Sequence, residues 1–371
     1  MYHLPQGLFF GILSVMKELD KHRINIDSID KEILDLLNKR AREAMAVGEI
    51  KKAHNQPFYV PSREKKIFER LTAMNEGPFP NDALKSVYRE IISASLSLEE
   101  VQKVGYLGPE GTFTNLAAMV HFGLSAELVP VRTIPEVFDY VERGRLGFGI
   151  VPVENSLEGV VNHTLDTFVS SHLKISGEIF LEVSHHLMNK SGKADEIQRI
   201  YSHTQALGQC RKWLAQNFPN IPVQEVDSTA KAAEMASLDD TSAAVASEMA
   251  AMKYSLRYVE KSIEDSSSNY TRFLIIGDFE PLPTGNDKTS IVFAAAHKAG
   301  SLYEVLSIFA KQNINMTKIE SRPSRQKAWE YVFFVDLDGH KDDEHIKKSL
   351  DALLEHTSFV KVLGSYPKGE K

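Results

Sequence analysis

The stretch Ser266-Ser267-Ser268-Asn269-Tyr270-Thr271-Arg272 runs straight into Phe273-Leu274-Ile275-Ile276 and stops at Gly277. Four unbroken apolar residues bounded by glycine predict a short buried strand. Such a strand needs no cation at its mouth. The hydroxyl of Thr271 beside the guanidinium of Arg272 therefore marks a place where chemistry could occur.

A second group sits where a helix should be apolar. Ile33, Leu37, Arg40, Ala44, Val47 and Lys51 follow helical spacing and predict one face. Arg40 and Lys51 lie eleven positions apart, about 20° from eclipsed at roughly 100° per residue. Ser95 and Glu99, one turn apart, continue the face of Tyr88 and Ile91 in a later helix. Any one of these charges reads as a solvated edge. Together, on the inward faces of two helices, they read as a cavity that grips a small dianion, because buried cations need anionic partners. Arginine's forked donors suit carboxylates.

Polar clusters also fall at strand ends. Thr112 and Thr114 follow a strand and tight turn, placed either to cap a helix or to bind an anion at its N-terminus. Glu154-Asn155-Ser156 ends one apolar run, and Ser202, His203 and Gln205 end another. In open α/β sheets, ligands bind at such ends. His203 reads as a structural hydrogen-bonder rather than a base. Gly300 and Ser301 open a further helix, offering free N–H groups to a carboxylate. No metal-ligand spacing is present, so neither metal nor cofactor is expected.

The elements that must hold these residues can be read from periodicity and breakers. Residues 17–100 are helical in pattern, interrupted at "PFYVPS" and "GPFPND", which predicts one long and two shorter helices. Residues 103–280 alternate strands and helices, the mark of an α/β region. "EPLPTGNDK" reads as a linker, and residues 288–367 follow the order βαββαβ of a ferredoxin-like module. The chain of 371 residues thus divides into three domains: all-α, two-lobed α/β and α+β. A net charge of −7 argues against nucleic acid, and any anion site must then be locally cationic. The single cysteine, Cys210, excludes an internal disulfide and fits a reducing, cytoplasmic setting. The apolar run 7–16 lacks preceding basic residues and is too short to span a membrane. It reads as a flexible or helix-extending leader, so no membrane association is expected.

"IDSIDKEILDLLNKRAREAMAVGEIKK", "SREKKIFERL" and "EIISASLSLEE" resemble the all-helical chorismate mutases. The resemblance implies that Arg23, Arg40, Lys51 and Arg63 hold the carboxylates and ether oxygen of chorismate. It places Glu64 at the ring hydroxyl and Ser95 at a carboxylate. Glu99 matches a position that is Gln in some members, and it could assist the ether oxygen only as a protonated donor. Arg23 lies seventeen residues before Arg40, about 260° round the helix at ~100° per residue. The resemblance resolves this by dimerisation, with Arg23 reaching into the partner's cavity.

"GPEGTFT", "VPVENS", "SHTQALGQC", "AAVASEMAA" and "NYTRF" resemble prephenate dehydratase, a two-lobed fold like that of periplasmic binding proteins. This implies that Thr271 is the catalytic residue and Arg272 a substrate anchor, with Thr112, Asn155, Ser202 and Gln205 in the cleft and Glu234 a weaker candidate. Thr204 stands where that family usually has proline. "AGSLYEVLSIFAKQNINMTKIESRP" resembles the ACT regulatory domain of these dehydratases. It implies an L-phenylalanine site drawing on Gly300, Ser301 (usually alanine), Leu302, Asn315, Met316, Glu320 and Ser321. The leading reading is a bifunctional homodimeric or larger enzyme acting on chorismate and prephenate. A dehydratase with a purely dimerising helical arm, and a non-catalytic amino-acid sensor, are the alternatives.

Overall fold

The computed structural model describes residues 6–54, 56–266, 268–296, 298–323 and 331–369. Three helices come first: α1 (Gln6–Ala53), α2 (Pro61–Met74) and α3 (Asn81–Glu99). Pro61 opens α2, where its missing N–H is no loss. The apolar run 7–16 continues the long helix. Among the described residues, the C-terminal part of α1 packs against α3. Ile24, Ile29, Ile33, Leu36 and Val47 are all exposed. The covered line instead runs through Leu37, Arg40, Ala44, Gly48 and Lys51. Gly48 lets the helices close, because a Cβ there would meet Glu99 Cγ at 2.8 Å.

The α/β region has two lobes. The first contains β1 (Lys103–Leu107), α4 (Phe113–Phe122), β2 (Glu127–Val131), α5 (Ile134–Glu142), β3 (Phe148–Asn155), β4 (Gly159–Val160), α6 (Asn162–Ser170) and β5 (Lys174–Glu182). The second contains β6 (His186–Asn189), β7 (Arg199–Ser202), α7 (Thr204–Gln209), α8 (Arg211–Asn217), β8 (Val223–Glu225), α9 (Thr229–Leu238), β9 (Ser242–Ala246), α10 (Glu248–Lys253) and β10 (Arg257–Glu260). The chain then returns to the first lobe as β11 (Tyr270–Gly277). The sheet orders are β2-β1-β3-β11-β5 and β10-β6-β9-β7-β8. Two crossings between lobes leave a cleft between them. Alanines at 232, 233, 236, 244, 246 and 250 let the second lobe's helices approach its sheet closely.

The last module runs β12 (Asp287–Ala295), α11 (Ser301–Lys311), β13 (Met316–Pro323), β14 (Tyr331–Asp338), α12 (Glu344–His356) and β15 (Thr357–Pro367), with sheet order β13-β14-β12-β15. Strand alternation gives the sheet two buried faces. Ile291 and Phe293 pack under its own helices, while Val292 and Ala294 join the core of the first lobe. Gly364 marks the closest approach, since a Cβ there would overlap the carbonyl of Ile175.

The connection between α1 and α2 is pinned to the first lobe. Tyr59 is 2% exposed and packs edge-on to Phe148, with ring centroids 5.0 Å apart. Its hydroxyl shares a hydrogen bond with His121 Nε2 of α4. Burial and the charge of Arg89 hold His121 well below the ordinary histidine range, and burial lowers His185 and His186 too. Unfolding lets each take up a proton near pH 6.5. Below that pH the unfolded chain binds more protons, so stability present above it is lost on acidification. The melting temperature is expected to fall as pH drops from about 7.5 to about 5.5, with a slope up to roughly 1.4 kcal/mol per pH unit for each histidine. His121→Gln, which keeps a partner for Tyr59, should flatten that slope in melting curves.

Candidate active sites

A cleft of about 490 Å³ lies between the two lobes, within the size range of small-molecule sites. Strand β11 forms part of its floor. Thr271 and Phe273 line the cleft, and Asn155, the register partner of Thr271 on β3, lies beside them.

A hydrogen-bond chain settles the orientation of each amide there. Backbone N–H groups of Leu157 and Glu158 both donate to Asn155 Oδ1, each at 3.0 Å. Asn155 Nδ2 must then be the donor to Thr271 Oγ1 (2.9 Å) and to Asn269 Oδ1 (2.8 Å). Asn269 Nδ2 in turn donates to Gln209 Oε1 at 2.8 Å. His185 Nε2 meets that same oxygen at 2.8 Å, which places the imidazole proton on Nε2. Thr271 therefore accepts from Asn155, and its own proton is left for an acceptor in the cleft.

The described cleft wall does not carry the cationic side chains expected of an anion site in an acidic chain. Among the described residues, neither lysine nor arginine lines the cleft, and the carboxylates on its wall belong to Glu158 and Asp227. Two helix N-termini open into it instead. Thr112 caps α4, accepting from Asn115 N at 3.4 Å, and Ser228 caps α9, accepting from Lys231 N at 3.0 Å. Their uncommitted N–H groups and dipoles provide the positive potential.

Three expected cleft residues lie elsewhere. Arg272 alternates with Thr271 and Phe273 along the strand, so it points away from the cleft, and its placement does not make it a substrate anchor. Its Nε donates to Glu178 Oε2 at 2.7 Å, its Nη1 to Asp336 Oδ2 at 2.6 Å and its Nη2 to Tyr366 Oη at 3.0 Å. Burial opposes its charge, but Tyr366, Asp336 and Glu178 together outweigh burial and keep it protonated. Ser202 is fully buried and donates to Val245 O at 2.6 Å, because its strand turns that face into the lobe core. Glu234 pairs with Lys231 at 2.8 Å on α9, off the cleft wall. Thr112, Asn155 and Gln205 do line the cleft, together with His203. Sequence reasoning passed over Phe113, His185, Gln209 and Asn269. Gln209 was findable, one helical turn after Gln205 in the same motif.

In the helical region, Arg40, Lys51, Ser95 and Glu99 come together. Arg40 Nη1 donates to Ser95 Oγ, and Lys51 Nζ donates to Glu99 Oε2 at 3.2 Å and to Phe58 O at 2.8 Å. Glu99, expected as a protonated donor, is here an ion-pair partner. Arg23 is exposed, paired with Asp20 at 3.3 Å, about 26 Å along the helix from Arg40 at 1.5 Å per residue. Arg63 is exposed as well. Glu64 turns the other way, into the seam with the first lobe, where it pairs with Arg89 at 2.5 Å. Burial raises its pKa despite that partner. A single chain thus assembles half of the expected cavity.

A third cavity, of about 290 Å³, is lined by Ala296, Lys298, Ser301, Leu302, Tyr331 and Phe333, among others. Gly300 precedes it in the left-handed region, φ +86°. Ser301 Oγ is engaged with Ala296 O at 2.5 Å. Asn315, Met316, Glu320 and Ser321 lie outside it, on or next to the edge strand β13, and Asn315 Nδ2 donates to Asp338 at 2.8 Å.

Three family models match the chain: chorismate mutase type II over residues 22–100, prephenate dehydratase over 104–280 and the ACT domain over 289–355. The bifunctional chorismate mutase/prephenate dehydratase of Aquifex aeolicus is 53% identical over 95% of this chain and 99% of its own length. The bifunctional protein of Stutzerimonas stutzeri is 46% identical over 96% of this chain and 99% of its own. The chain belongs to this bifunctional family. Among solved structures, a prephenate dehydratase from Arthrobacter aurescens, in complex with L-Phe, superposes with TM-score 0.67 and 33% identity, covering 71% of this chain and 89% of that one. The family is an isomerase joined to a lyase, and the chain carries both regions and the ACT module.

The Asn155 geometry yields a one-atom test. Asn155→Asp keeps the shape and the two backbone hydrogen bonds but turns the donor facing Thr271 into an acceptor. Thr271 must then donate to it and not into the cleft. Dehydratase kcat is expected to fall by about 10²-fold, with mutase activity unchanged as the control for folding.

Proposed function

We propose that this chain converts chorismate to prephenate and prephenate to phenylpyruvate, and that L-phenylalanine binding at the ACT module regulates it. The observation that carries the second reaction is the free proton of Thr271 at the cleft floor. In prephenate the bond between ring and carboxylate breaks. Its electron pair enters the ring, the ring becomes aromatic, and the hydroxyl group on the opposite carbon leaves. Carbon dioxide and, after protonation of that leaving oxygen, water are released. Aromatisation drives the reaction, so the protein chiefly has to assist hydroxide departure. Thr271 donates toward that oxygen, and Asn155 fixes the direction in which it donates. The helix N-termini hold the remaining carboxylate.

The mutase step is unimolecular and needs no nucleophile. Arg40 and Lys51 supply positive charge to hold the reactive conformer and stabilise charge on the ether oxygen. The half-built cavity and the uncovered apolar residues of α1 support an isologous homodimer in which each chain lends Arg23 to the other. In the ACT module, the 290 Å³ cavity and the helix opened by Gly300 suit the carboxylate of a single amino acid. The residues of edge strand β13 then come from a neighbouring subunit.

The purified chain is expected to form phenylpyruvate from either chorismate or prephenate, less in the presence of L-phenylalanine. No product from prephenate would overturn the dehydratase reading, and product from prephenate alone would leave the helical region a dimerising arm. Thr271→Ala should lower dehydratase kcat by about 10²-fold or more with KM little changed. Unaltered turnover would remove Thr271 from the chemistry.

A further inference from the structure

The two residues at the heart of the cleft, Asn155 and Thr271, face each other across an antiparallel ladder, and so do their chain neighbours Glu154 and Arg272. This one step of ladder has two sides. Asn155 and Thr271 look into the cleft, while Glu154 and Arg272 look toward the ACT sheet and are held by it. Lys318 of β13 donates to Glu154 Oε2 at 2.7 Å. Asp336 of β14 accepts from Arg272 Nη1 at 2.6 Å, and Tyr366 of β15 accepts from its Nη2 at 3.0 Å. Lys288 of β12 reaches both oxygens of Glu178, the carboxylate that also binds Arg272, at 2.8 Å each. Each of the four ACT strands thus places a side chain on this cluster. Three cations, Arg272, Lys288 and Lys318, meet three carboxylates, Glu154, Glu178 and Asp336, so the cluster is neutral as a whole.

The ladder itself is weak at this step. Register between β11 and β3 shifts between Arg272 and Phe273, so the regular strand pairing is interrupted beside the catalytic pair. Lys318 also belongs to the edge strand β13, whose next inward cation, Arg322, meets Asp166 Oδ2 at 3.2 Å. Any displacement of β13 is therefore felt at Glu154.

We infer that Lys318 and Asp336 of the ACT module are positioning residues for the dehydratase reaction, setting the Asn155–Thr271 geometry through Glu154 and Arg272. This rests on the reading of Thr271 given above. It makes the ACT module part of the catalytic machinery even without effector, and supplies a path by which occupancy of that module reaches the cleft.

The milder variant is Lys318→Met, because Glu154 is 39% exposed and keeps water and Arg272, 3.9 Å away, as company. In the full-length chain, dehydratase kcat is expected to fall by about three-fold or more, with KM for prephenate and the mutase rate within about two-fold of the parent. Lys318→Arg, which keeps the charge, should restore kcat. Glu154→Gln should reproduce the loss, and the double variant Lys318→Met/Glu154→Gln should be no slower than either single one, as expected of partners in one interaction. A kcat loss below about three-fold, a loss that Arg does not rescue, or losses that multiply in the double variant would each overturn the inference. Thr271→Ala separates the two readings. If it retains turnover, the role of Thr271 fails; if it is inactive while Lys318→Met behaves as the parent, only the positioning role fails.

Discussion

The contact on which the rest of this molecule depends is the buried guanidinium of Arg272. Glu178, Asp336 and Tyr366 hold it on three sides. Removing one partner would leave uncompensated charge in a low-dielectric interior, and such losses are severe. The strand that presents Thr271 to the cleft is therefore welded to a different domain on its opposite face. The glycine contact of β15 on β5 and the apolar residues shared between the two sheets extend that weld. Catalytic lobe and regulatory module form one packed unit, and the covalent linker is a minor part of the connection.

The cleft answers an electrostatic problem in an unusual way. The chain is acidic, and its substrates carry two negative charges. The described cleft nevertheless contains no lysine or arginine. The positive potential on its wall comes from backbone N–H groups at the starts of α4 and α9. An environment that does not clamp a carboxylate with a full positive charge is compatible with that carboxylate leaving as carbon dioxide.

The helical region shows a different division. Arg40, Lys51, Ser95 and Glu99 are preassembled within one chain, held by a helix crossing that Gly48 makes possible. Arg23 is too far away to join them. Tyr59, just before α2, ties the helices to the first lobe through His121, and Glu64 ties the start of α2 to α3 through Arg89. The helices are thus anchored at one end and open at the other, where apolar residues of α1 are exposed among the described residues.

Much of this was legible in the sequence. Proline breaks and periodicity located the helices, apolar runs the strands, and four of the five short motifs the peptides that surround the cleft, while "AAVASEMAA" lies in the core of the second lobe. Those features are local: they depend on what each residue does to its own backbone and nearest neighbours. What only the tertiary structure decided is which way side chains point and what they meet. Thr271 and Arg272 are adjacent, yet strand pleating sends one to the cleft and the other to a neighbouring domain, and nothing in "NYTRF" says which face the ACT sheet will cover. Ser202 and Glu64 were misplaced for the same reason. The orientation of the Asn155 amide depends on two backbone N–H groups that a turn brings back to it, and Gln209 and Asn269 matter only because a returning strand sets them side by side. The sequence by itself determined the elements and the residues available for chemistry; long-range packing decided their partners, because pleat, register and domain contacts are properties of the assembled chain.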